Sequence, residues 1–94
     1  MESKINNAKE VIAEKLDFPR DVILNIPKIT ITGDNEITIE NHKGIILFND
    51  EEVKINSGVG LISINGSRFE IRFIGGSTIT ITGKFKSVNY EEQS

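Results

Sequence analysis

Cysteine is absent from the 94-residue sequence, which removes disulfides, a thiol nucleophile and cysteine-based zinc sites from consideration. Lysine and arginine form no cluster or stripe, and the formal net charge is −3. A phosphate-neutralising surface for nucleic acid is therefore not expected. No run approaches the ~18 consecutive apolar residues of a membrane-crossing helix. The opening Met1-Glu2-Ser3-Lys4-Ile5-Asn6-Asn7 is too polar for a signal-peptide core. A soluble, cytoplasmic chain forming a small domain is the expectation. At this size folding buries only roughly 60–65% of the surface exposed by the unfolded chain, so the stability margin is thin.

What the sequence does have is alternation. Ile29-Thr30-Ile31-Thr32 and Ile37-Thr38-Ile39-Glu40 each alternate a branched apolar residue with a polar one, the pattern of a strand with one dry and one wet face. Gly33-Asp34-Asn35-Glu36 separates the two runs and Asn41-His42-Lys43-Gly44 closes the second; both are turn chemistry, since Gly, Asn and Asp tolerate positive φ or bond their own backbone. Further runs begin near Ile45, Val53, Leu61, Phe69, Ile79 and Phe85. Asn65-Gly66 is the strongest hairpin signal among the connectors. A phrase of the form Ile-x-Ile-x-Gly recurs at Ile29, Ile62 (with Asn65 before Gly66) and Ile79.

These features predict a mainly β protein, with about eight short strands forming a curled antiparallel meander, roll- or sandwich-like. A small β-solenoid is the alternative. Alternation assigns Ile29, Ile31, Ile37, Ile39, Ile45, Leu47, Val53, Ile55, Ile62, Ile64, Phe69, Ile71, Phe73, Ile79, Ile81, Phe85 and Val88 to the core, with Leu24 and Ile26 joining if Asp21–Pro27 pairs as a strand. Thr30, Thr32, Thr38, Glu40, Thr80 and Thr82 fall on the opposite face.

Residues 3–16 read as a short helix. Ser3 is a fair N-cap, and Ile5, Ala8, Ile12 and Leu16 recur at spacings of three and four, drawing one apolar stripe. Phe18-Pro19 ends it. A helix this short is marginal alone and has to dock on the sheet or on a partner. The expected division is a helical segment over 1–19, an all-β domain over 20–90 and a disordered tail over 91–94.

Chemistry-bearing residues are few. His42 is the only histidine and lies in turn sequence, with no nucleophile or carboxylate placed beside it by a recognised motif. Asp50-Glu51-Glu52 lacks the spacing of a calcium loop, and the glycines precede no helix that could cradle a phosphate. No catalytic residue, metal or cofactor is expected. Val59-Gly60-Leu61 and Phe73-Ile74-Gly75-Gly76 place apolar side chains near turns, where they form either contact sites or buried corners. The edges of short-strand sheets also invite pairing with another chain.

Leu16-Asp17-Phe18-Pro19-Arg20-Asp21-Val22, Pro27-Lys28-Ile29-Thr30-Ile31-Thr32-Gly33, Glu40-Asn41-His42-Lys43-Gly44-Ile45, Ile79 to Phe85 and Val88-Asn89-Tyr90 together resemble the YabP/YqfC family of sporulation proteins, closest to its YqfC branch. The resemblance covers about residues 10–90. It implies a non-enzymatic protein of the mother cell, acting during endospore formation. It also implies a membrane-associated partner of the YqfD type and a peripheral position at the forespore membrane. The family brings no catalytic residues. The expected N-terminal helix is charge-balanced, with no excess of basic residues, and so departs from the polybasic pattern that would bind anionic lipid directly.

Two main readings follow: an interaction or assembly module, and a self-assembling structural β protein of the spore envelope associating through strand edges. A ligand-binding domain or enzyme centred on His42 is a third. Glu40, Asn41, His42, Lys43 and Gly44 form the candidate contact or structural turn. Gly44 is expected to supply a backbone angle closed to other residues, and Asn41 to bond its own turn. Ile5, Ile12 and Leu16 form the candidate helix surface.

Overall fold

The computed structural model describes residues 24–91. The helix over 3–16 with its Ile5, Ile12 and Leu16 stripe, the first part of the Asp21–Pro27 segment and residues 92–94 of the tail lie outside them. Among the described residues the structure is all β: β1 (Lys28–Thr32), β2 (Glu36–Glu40), β3 (Gly44–Phe48), β4 (Glu52–Ser57), β5 (Gly60–Gly75) and β6 (Thr78–Glu91). They form one sheet of order β1-β2-β6-β5-β4-β3, antiparallel throughout. The solenoid alternative is thereby excluded. The meander is kept from β3 to β6, but the β1–β2 hairpin is placed beside β6, so the β2–β3 connection crosses the molecule.

The eight short runs collapse to six strands because two pairs of them fuse. The Leu61 and Phe69 runs join as β5, and the Ile79 and Phe85 runs as β6. Asn65-Gly66 is accordingly not a hairpin turn; Asn65 pairs with Ser87 and Gly66 with Phe85, inside β5. Register shifts fall between Asn65 and Gly66, between Ser67 and Glu70 and between Ile71 and Phe73, and bulges of this kind bend a strand. The bend depends on missing side chains. A methyl on Gly66 would sit 2.0 Å from the Lys84 carbonyl oxygen, and one on Gly83 would sit 2.7 Å from Cδ1 of Phe69. Phe69 and Phe85 stack beside them with ring centroids 5.1 Å apart.

The β5–β6 hairpin is thus folded over on itself and serves two layers. In the first layer the second half of β5 and the first half of β6 continue into β2 and β1. In the second, the first half of β5 lies between β4 and the last half of β6, with β3 outside β4. The registers line up the inward side chains in rows. The first layer carries Ile31-Ile37-Ile81-Ile71 and Ile29-Ile39-Ile79-Ile74. The second carries Ile45-Ile55-Ile62-Tyr90 and Phe48-Val53-Ile64-Val88. In every row the two central residues are fully buried.

The row ends are where alternation misleads. Ile31 and Ile71 share a face with the core yet stay 53% and 41% exposed: Ile31 sits on the edge strand β1, and Ile71 on the half of β5 that has β6 as its one neighbour among the described strands. Phe73 and Leu47 are exposed for a different reason: register shifts place them opposite Thr80 and Lys54, on the outer face, while Phe48 turns inward. Ile29, Ile45, Phe85 and Val88 are half-buried against the core. Leu24 and Asn25 form a turn rather than a strand, so the Asp21–Pro27 segment is a lead-in as far as it is described, and β6 extends through Glu91 into the expected tail. On the outer face Thr38 and Thr80 exchange a 3.0 Å hydroxyl hydrogen bond.

Row position, not residue type, sets the expected energetic cost. Ile62→Ala, at a row centre, should lower stability by about 2–5 kcal/mol, whereas Ile74→Ala, at a row end, should cost about 1 kcal/mol or less. Urea titrations of the two variants check this. Gly66→Ala should cost about 1–3 kcal/mol through overpacking at the bend, read in the same titration.

Candidate functional site

The crossover from β2 to β3 has to carry the chain from one layer to the other in three residues, Asn41, His42 and Lys43. Two left-handed backbone positions allow this, Asn41 at φ 64° and Gly44 at φ 129°. The His42 amide donates to the Ser77 carbonyl at 3.0 Å, and the Lys43 amide to the Asn56 carbonyl at 2.7 Å. Ser77 lies in the β5–β6 turn of the first layer, and Asn56 in β4 of the second. The Asn41 side-chain amide donates to the Ile26 carbonyl at 2.9 Å, holding the lead-in to the same end. The turn is a staple between layers.

His42 serves this staple through its ring. Nδ1 accepts the Gly44 amide at 3.0 Å, which assigns the neutral-ring proton to Nε2. Nε2 is out of solvent contact and has no hydrogen-bond partner among the described residues. Burial disfavours the imidazolium and pushes the pKa below the ordinary 6.5. Lys43 is exposed, Gly44 half-buried, and Glu40 half-buried on the outer face opposite Thr78 and Lys28. Among the described residues no group of His, Cys, Asp or Glu is placed to hold a metal ion.

At the opposite tip, the β1–β2 and β3–β4 turns cap the bends. Gly83 and Phe85 amides donate to Asn35 and Asp34 carbonyls at 3.2 and 2.8 Å, and Gly66 and Phe69 amides to Glu51 and Asp50 carbonyls at 3.0 and 3.1 Å. Asp34 also pairs with Lys84, whose ammonium, by hydrogen bond and charge, holds the Asp34 carboxyl below its usual range.

Among the described residues, two exposed apolar surfaces stand out besides Ile46 and Leu47 of β3. One is the side of β5 over residues 70–75 that pairs with no other described strand, where Ile71, Phe73 and Ile74 are exposed. The other comprises two separate depressions beside β1 and the last part of β6: one of about 260 Å³, with Ile31, Ile37, Phe85 and Val88 among its described walls, and one of about 460 Å³, with Ile26, Pro27, Val59 and Tyr90 among its described walls.

A sequence profile of the YabP family matches residues 25–94, the whole of the sheet. The chain belongs to the YabP family. It is 35% identical over 92 residues to the "Uncharacterized protein YqfC" of Bacillus subtilis (strain 168), covering 98% of this chain and 99% of that one. No solved structure matches.

In this YabP-family domain the residues from Glu40 to Gly44 are brought together at the crossover, whereas the Val59 and Phe73-Ile74 sites lie on separate surfaces. The part played by Tyr90 and Pro27 was not legible, because no local pattern shows that β1 and β6 face each other across a gap. The signal available was the apolar excess at Val59 beside Gly58 and Gly60.

The His42 geometry gives a pH dependence. The unfolded chain takes up the proton at the ordinary value and the folded chain only at lower pH, so stability is held above about pH 6.5 and declines as the pH falls through the interval to the folded value. Unfolding midpoints in urea should be lower at pH 5 than at pH 7.5. His42→Asn, which keeps an acceptor for the Gly44 amide but does not titrate, should flatten that difference.

Proposed function

We propose that this chain is a non-catalytic assembly module of endospore formation, working in the mother-cell cytoplasm beside a membrane-associated sporulation protein of the YqfD type, peripheral at the forespore membrane. Membership of the YabP family supports the sporulation setting. The observation that carries the assembly reading is the set of uncovered row ends: Ile31, Ile71, Ile74 and Tyr90 belong to the inward-facing rows yet are 41–63% exposed. Exposed apolar surface of this kind marks contact sites. The one histidine spends its ring on the crossover, consistent with a structural role for the Glu40–Gly44 turn.

Deletion of the gene in a spore-forming host should lower the yield of heat-resistant spores, and affinity recovery of the tagged chain from sporulating cells should enrich a membrane-anchored protein. Normal spore yield together with recovery at background would end this reading.

A second reading is favoured by the free side of β5. Residues 70–75 present a strand edge unpaired among the described residues and flanked by exposed Ile71, Phe73 and Ile74, the arrangement that invites strand addition by another copy. Sedimentation should then show mass rising with concentration, and Ile74→Lys should return the protein to monomer. A wild-type monomer at every concentration excludes it.

A further inference from the structure

In the sheet order β3 comes last, paired with β4 on one side and with no described strand on the other. An open edge of this kind carries outward amides and carbonyls that a second strand can pair. The register shift leaves Ile46 without a residue opposite it on β4, and Ile46 and Leu47 are exposed at the middle of this edge. The two ends of the edge carry opposite charge. Lys43 stands just before β3 and Asp50-Glu51 just after it, all three exposed. Ion pairs among the described residues join Lys54 to Glu91 and Lys84 to Asp34, and leave those three side chains unpaired. Lys43 and Asp50 are about 20 Å apart at strand rise, beyond the ~8 Å screening length at physiological salt. Within one chain they do not neutralise each other.

From this polarity we infer that two copies of the chain pair their β3 strands antiparallel, about a two-fold axis near Ile46 and Leu47, and extend one sheet across both molecules. The antiparallel direction sets Lys43 of each copy against Asp50-Glu51 of the other, whereas a parallel one would set Lys43 against Lys43. Ile46 and Leu47 of the two copies meet at the centre. The other open edges lack this match. Next to β1, Lys28 has its counterpart in Asp34, which already pairs with Lys84. On β5, Glu70 and Arg72 lie close together instead of at opposite ends. A two-fold contact uses up the edge that forms it, so association stops at the dimer. The inference depends neither on strand addition at β5 nor on the sporulation reading.

Sedimentation equilibrium of the full chain tests it. The wild type should pass from monomer to dimer with rising concentration and go no further, and the dimer should persist in Ile74→Lys. Lys43→Glu, and separately the double variant Asp50→Lys with Glu51→Lys, should each raise the dimer dissociation constant about tenfold or more through like-charge contact. Their β-sheet circular dichroism should be retained, because the altered side chains are exposed. An equimolar mixture of the two variants should form a heterodimer, since each supplies the charge that the other has lost. A wild type that stays monomeric, variants that dimerise as the wild type does, or a mixture that stays monomeric overturns the inference. Loss of the dimer in Ile74→Lys also overturns it, and assigns self-association to β5.

Discussion

Everything in this fold depends on one steric allowance: two long paired strands can double back because Gly66 and Gly83 leave room at the bend. The Lys84 carbonyl occupies the space where a side chain on Gly66 would be, and the Phe69 ring occupies that of Gly83. The bend stacks the two halves of the sheet, and stacking removes the central isoleucines and Val53 from water. Full burial of such a side chain is worth about 1.5–3 kcal/mol. In a chain with no disulfide this is the main source of stability, and it exists only while the halves stay superposed.

The polar features serve the same end. The crossover turn donates one amide to each layer at one end, and carbonyls of the two loop turns accept amides from the bends at the other. These bonds are short-range and each is modest. Their effect is to fix the separation and register at which the apolar rows meet, which burial alone does not specify.

Alternation told which face of β1, β2 and β4 is dry, because strand period is a local property. It did not tell which strands lie at the edge, and so it overestimated the core at Ile31 and Ile71. The bend was illegible because an Asn-Gly pair has the same composition whether it closes a hairpin or lets another backbone approach. Here the approach of Lys84 decides, and that partner is 18 residues away in sequence. The site was legible in part: the Glu40–Gly44 phrase reads as a turn, and Gly44 does take a left-handed angle. Its work as a link between layers follows from the placement of β2 beside β6, a long-range pairing.

The meeting of both ends of the described residues has an orientational consequence. Asn25 abuts Gly58, and the Glu91 carbonyl lies against Gly60, so Asn25 and Glu91 lie at one pole of the sheet. A load applied to the sheet through Asn25 or Glu91 would hold the domain by that pole. The opposite pole, with Asp34, Asp50 and Glu51 on its loops, would then point away as an acidic cap, available to whatever approaches from the far side.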